Sequence, residues 1–238
     1  MLQNTIASGV SKIIIPGASA KDLPRAIEIS EKYDFVYFAV GIHPYDIGEF
    51  NDEIFEFASH PKCVAIGECG LDYYRLPDNE MEKEKEIALQ KKVFTRQIEI
   101  AKRFKKPLIV HIRDASHDSK TILLENNAHE VGGVLHCFNA SKELLSLAES
   151  GFYFGIGGVL TFSNAKKLVE ILPYIPLEKL VVETDAPYLT PHPFRGSRNE
   201  PSYTALVVKK IAELLEFDEE YVSRLTTTNA LRLFGEIK

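Results

Sequence analysis

Apolar positions along this chain fall in short runs rather than long stripes. Seven runs stand out, at residues 12–15, 35–42, 63–67, 107–112, 132–137, 152–157 and 179–184. Each is rich in Val, Ile or Phe and apolar on both faces, the pattern of strands covered by helices on two sides. Helical periodicity fills the intervals: the end of a helix at 2–8, then 20–33, 51–60, 80–105, 117–126, 141–150, 164–172, 202–216 and 219–234. The 80–105 stretch carries acids early and "KRFKK" at its end, as a helix dipole favours.

Regular strand–helix alternation predicts a parallel α/β sheet with right-handed crossovers. No linker, charge block or internal repeat interrupts it, so residues 1–238 read as one domain. Seven strands suit an open doubly wound sheet. A closed (β/α)8 barrel of the TIM type needs an eighth.

Composition narrows the picture modestly. The chain has 238 residues, 45% hydrophobic and 26% charged, with a net charge of −6. That balance excludes coating of nucleic acid by a broad basic face, but not a grip on a few phosphates through metal ions and local arginines. Three cysteines without a CxxC pair fit a reducing compartment and small buried residues. No run of about 18 apolar residues and no leader-type segment is visible. The expectation is a cytoplasmic protein with no membrane association and no obligate protein partner.

The chemistry lies at the ends of the strands. His43 closes the second run and Glu68 the third; His111 and Arg113 lie on the fourth, His136 on the fifth, and Asp185 follows the seventh. In a parallel barrel these ends converge on one mouth. Polar groups ending apolar strands are costly unless paired or bound to a cation. Two carboxylates with two or three imidazoles make a metal site by composition; mixed N and O donors suit Zn²⁺ or Mn²⁺, whereas Mg²⁺ prefers more oxygen. Arg113 shares the strand face of His111. Arg195 and Arg198 sit in a Pro- and Gly-rich loop after the last strand, where barrels often hold phosphate. His60, His117, His129 and His192 read as turn, helix or surface residues.

The blocks "GIHP", "GECGLDYY", "VHIRDA", "LHCFNA", "ETDAPYLTPHPFRGSRNEP" and "TTTNALRLFG" together resemble the TatD-type metal-dependent nucleases of the amidohydrolase-like barrel superfamily, in order and over nearly the whole chain. The resemblance implies a (β/α)8 barrel with a divalent-metal centre, two ions in the complete site. It implies hydrolysis of phosphodiester bonds by a metal-activated water, as a 3′→5′ exonuclease on single-stranded DNA ends, with RNA as a further substrate. Mg²⁺ is the ion expected in use, with Mn²⁺ or Zn²⁺ as alternatives.

By the same resemblance, Glu68 and Asp185 are catalytic, and Glu68, His111, His136 and Asp185 are metal ligands. His43, Tyr73, Arg113 and Arg195 are the substrate-binding candidates. The family's opening strand with a His-x-His pair has no counterpart here. The expectation is therefore a barrel short of one strand, with one metal position complete at Glu68, His111 and His136 and the other weakened. Two alternatives stay open: a small-molecule amidohydrolase of the same barrel, and a nucleic-acid- or metal-binding protein with impaired catalysis.

Overall fold

The computed structural model describes residues 2–235 and 237. All seven apolar runs form strands: β1 (Ile13–Ile15), β2 (Val36–Val40), β3 (Cys63–Asp72), β4 (Leu108–Arg113), β5 (Gly133–Leu135), β6 (Phe152–Ile156) and β7 (Leu180–Val182). They make one sheet in sequence order, parallel throughout. Among the described residues no pairing joins β7 to β1. The α-helices are α1 (Leu2–Ala7), α2 (Leu23–Lys32), α3 (Glu80–Phe104), α4 (Ser116–Glu125), α5 (Lys166–Ile171), α6 (Thr204–Leu215) and α7 (Glu219–Leu233). None is long and apolar enough to cross a membrane.

Strand alternation sorts the core into two clusters. Phe38, Ile66, Leu108, Val110, Leu135 and Phe154 face outward, into the layer between sheet and helices. Tyr37, Ala65, Ile109, Val134, Tyr153 and Val181, one from each of β2 to β7, form the inner cluster, against which Phe234 packs from just beyond α7. Apolar faces on both sides explain why the strands read as continuous runs.

Two crossovers differ from expectation. The segments at 51–60 and 141–150 are 3-10 helices, Asp52–Ser59 and Lys142–Ala148, not α-helices. Each buries only two side chains three residues apart, Phe55 with Ala58 and Leu144 with Leu147. A helix of three residues per turn aligns such a pair on one face.

β3 is also longer than its apolar run. It continues through Glu68 to Asp72, with a register shift against β4 between Ile66 and Cys69. Glu68 thus lies inside the strand rather than at its end. Gly67 makes this possible: its φ is +142°, and a Cβ there would come within 2.4 Å of the Ile109 carbonyl oxygen.

A candidate metal centre at the mouth of the sheet

Two residues beyond three of the inner-cluster side chains the same alternation delivers polar groups: Ile109 is followed by His111, Val134 by His136, and Val181 by Glu183. Successive same-face positions are two apart. Apolar inner residues therefore give way to imidazoles and carboxylates at the C-terminal end of the sheet.

Glu68 stands at the centre. Its Oε1 is 2.9 Å from His111 Nδ1, 3.9 Å from His136 Nε2 and 4.0 Å from His43 Nε2. Asp185 Oδ1 lies 3.1 Å from His136 Nε2. The four residues expected as metal ligands thus come together. His43, expected to contact substrate, joins them: its donor atom and those of Glu68 and His111 all lie within 4.8 Å of one another. The His43 ring packs edge-on against His111 at 4.4 Å, and its Nδ1 accepts the Tyr45 N–H, which leaves Nε2 facing Glu68.

The electrostatics follow from crowding. Burial pushes the Glu68 carboxyl up, but the charge of His136, the His111 hydrogen bond and His43 outweigh it and hold its pKa at about 2. Burial, reinforced by neighbouring His111, lowers His43 to about 4, against the pull of Glu68. For His136 burial opposes the cation, yet Glu183 and Glu68 raise its pKa well above the ordinary value. Burial likewise opposes the His111 cation, and hydrogen bonds to Asp72 and Glu68 prevail. Among charge-compensating partners, this donor set of carboxylates and imidazoles fits a divalent cation by its chemistry. The anions are close together and each imidazole has a nitrogen directed at them.

The substrate candidates are arranged less uniformly. Arg113 ends β4, exposed, with its guanidinium 3.6 Å above the Tyr74 ring. Arg195 lies in the loop after β7, 3.7 Å from the centre of the Phe162 ring. Both present cations on aromatic supports. The Tyr73 hydroxyl instead donates to Asp118 on α4 at 2.8 Å, which ties it to the helix layer. His192 and Arg198 are exposed. A cavity of about 500 Å³ is walled by Cys137, Phe138, Val159 and Leu168.

Two residues escaped the sequence reading. Asp72 is 1% exposed, and its Oδ2 is 2.8 Å from His111 Nε2. Glu183 contacts His136 Nδ1. Glu183 had a sequence signal in strand parity, lying between Val181 and Asp185 on one face; Asp72 had none, because the apolar run of its strand ends at Gly67. Gln90 and Gln97 of α3 complete the setting. The Gln90 amide pairs with the N–H and C=O of Asp72, and the Gln97 amide does the same for Ile42.

Comparisons with known proteins find relatives over nearly the whole chain. The family model for TatD related DNase matches residues 1–235. An uncharacterized metal-dependent hydrolase, YabD, of Bacillus subtilis (strain 168) is 44% identical over 98% of this chain and 91% of its own. The 3′-5′ ssDNA/RNA exonuclease TatD of Salmonella typhimurium is 33% identical, again over 98% and 91%. The solved structure of the TatD homologue YJJV from Escherichia coli K12 superimposes with a TM-score of 0.87 at 28% identity, covering 98% of this chain and 90% of that one.

Proposed function

Since this chain belongs to the TatD-related DNase family, and so is a metal-dependent hydrolase with a TIM-type α/β fold, we propose that it hydrolyses phosphodiester bonds of single-stranded DNA from the 3′ end, and of RNA as a second substrate. The observation that carries this reading is the convergence of Glu68, His111, His136 and Asp185 at the mouth, with exposed arginines on the neighbouring loops.

In this reading Glu68, His111 and His136 would hold one divalent ion and Asp185, with Glu68, a second and weaker position, Mg²⁺ in use with Mn²⁺ or Zn²⁺ as substitutes, and His43 faces Glu68 beside them. A divalent ion held there would supply Lewis-acid polarisation of the phosphoryl group and activation of a water at neutral pH. Asp185 is the least buried carboxylate of the set, with a side chain 32% exposed, and accepts the proton of the attacking water. Arg113 and Arg195 bind the non-bridging phosphate oxygens, where a planar fork of donors offsets developing charge. Tyr73 acts through Asp118, steadying the loop after β3 rather than touching the phosphate.

The test is direct. The purified chain, given Mn²⁺ or Mg²⁺, is expected to shorten a 5′-labelled single-stranded oligonucleotide one nucleotide at a time, and EDTA to stop it. A chain that binds Mn²⁺ but cleaves neither DNA nor RNA would instead be a binding protein, and the nuclease reading would fall.

A further inference from the structure

Glu183 has a placement that neither the fold nor the proposed ligand set requires. It stands on the inner face directly above Val181, whose own neighbours in the sheet are apolar. One carboxylate oxygen, Oε2, contacts His136 Nδ1 and accepts the Cys137 N–H at 3.1 Å. The other, Oε1, is buried and takes no hydrogen bond from the protein. All of the carboxylate's hydrogen bonding therefore goes to one histidine and the amide that follows it. A buried carboxylate with so narrow a set of partners is costly as a stabilising device.

The neighbouring strand makes room for it. Gly155 and Gly157 lie beside Glu183 across the β6–β7 pairing, where Gly155 pairs with Val181. A Cβ on Gly157 would sit 2.6 Å from Oε1, and one on Gly155 3.0 Å from Oε2. Gly157 has φ −112° and ψ −167°, a conformation open to any residue. Its lack of a side chain is a matter of space, and the space is filled by the carboxylate.

We propose that Glu183 is a positioning residue for the metal centre: lodged against Gly155 and Gly157, it holds His136 Nδ1 and thereby fixes Nε2 as the nitrogen that ligates. A histidine with one ring nitrogen bonded to a carboxylate presents the other in a set tautomer and orientation, and loss of such a partner typically weakens metal affinity about 10- to 100-fold. His136 Nε2 is the atom facing Asp185 and Glu68, so ring rotation would remove it from the site. The inference rests on the proposed reading of Glu68, His111, His136 and Asp185 as the ligand set.

The experiment is a Mn²⁺ titration of the full chain followed by electron paramagnetic resonance of the free ion. Glu183→Gln, which keeps size but loses charge, is expected to bind Mn²⁺ about 10- to 100-fold more weakly. Gly157→Ala, which leaves the carboxylate but crowds it, is expected to show the same loss. Binding by Glu183→Gln within about twofold of wild type would overturn the proposal, as would a loss of metal-free stability with no change in affinity. A readout on the unmutated chain stands beside these. In Zn²⁺-loaded, ¹⁵N-histidine-labelled protein, the His136 signal, assigned by its loss in His136→Gln, should show a protonated Nδ1. A metal-bound Nδ1 would also overturn it. Absence of Mn²⁺ binding by the wild-type chain would instead defeat the ligand reading beneath it.

Discussion

The side-chain amide of Gln90, on α3, bonds both backbone groups of Asp72, accepting its N–H at 2.9 Å and donating to its C=O at 3.0 Å. Asp72 in turn holds His111 Nε2. One buried glutamine thus anchors the end of β3 and, one residue further on, a ring of the candidate centre. Gln90→Ala leaves two buried backbone groups unpaired, at about 1–3 kcal/mol each. Urea denaturation of the metal-free chain should show a loss of about 2–6 kcal/mol, with Mn²⁺ affinity reduced as well. Gln97→Ala should cost a similar amount, since Gln97 bonds Ile42 in the same way.

Acid should weaken the metal-free chain in two stages. His43 has a folded pKa of about 4 against an ordinary 6.5, so between those values the unfolded chain binds the extra proton and stability falls as pH falls. The full effect is about 3 kcal/mol at about 1.4 kcal/mol per unit. Glu68, held at about 2 against 4.5, contributes stability above 4.5 that is lost on further acidification toward 2. His111 and His136 are raised, so their contributions are complete below 6.5 and decline only as pH rises through their folded values. Denaturation at pH 6.5 and 4.5 should show the first decline, and His43→Asn should flatten it. An unchanged slope in that variant would assign the decline elsewhere.

Metal addition should stabilise the folded chain by mass action, by about 2.7 kcal/mol at a free concentration 100 times Kd. The rise in melting temperature with Mn²⁺ should vanish in Glu68→Gln, because Glu68 is the group that His43, His111 and His136 all face. Retention of the full shift in that variant would remove Glu68 from the ligand set.

Asp185→Asn should lower kcat about 100-fold or more, the scale of a lost proton acceptor, while leaving oligonucleotide binding near wild type. A rise in KM alone would recast Asp185 as a binding residue.

Arg113→Ala and Arg195→Ala should each raise KM for single-stranded DNA about tenfold and make binding less dependent on salt. Lysine should restore only part of this, since it cannot reproduce the planar guanidinium stacked on Tyr74 or Phe162. Steady-state kinetics at two ionic strengths check both.

Much of the architecture was legible because burial on two faces leaves its mark one residue at a time. The seven apolar runs match the seven strands, and the acid-to-base gradient of 80–105 marks α3. The 3-10 crossovers were not legible, because periodicity shows where apolar residues recur but not how tightly the backbone winds between two of them. The extension of β3 past Glu68 was hidden for a related reason: its pairing depends on a close approach between Gly67 and Ile109, residues 42 positions apart. Asp72 was hidden with that extension, five residues beyond the end of its apolar run, and the role of Glu183 depends on a contact with His136 of another strand.

By itself the sequence determined the alternation of strands and helices, the end of the sheet to which His111, His136 and Asp185 are delivered, and the family signature. These depend on residue order and on the two-residue period of a strand. Only the tertiary structure decided that His43 turns toward Glu68, that Tyr73 is tied to Asp118, and that Asp72 and Glu183 stand behind the two histidines. Those relations join side chains from different strands and helices, and folding alone sets their distances.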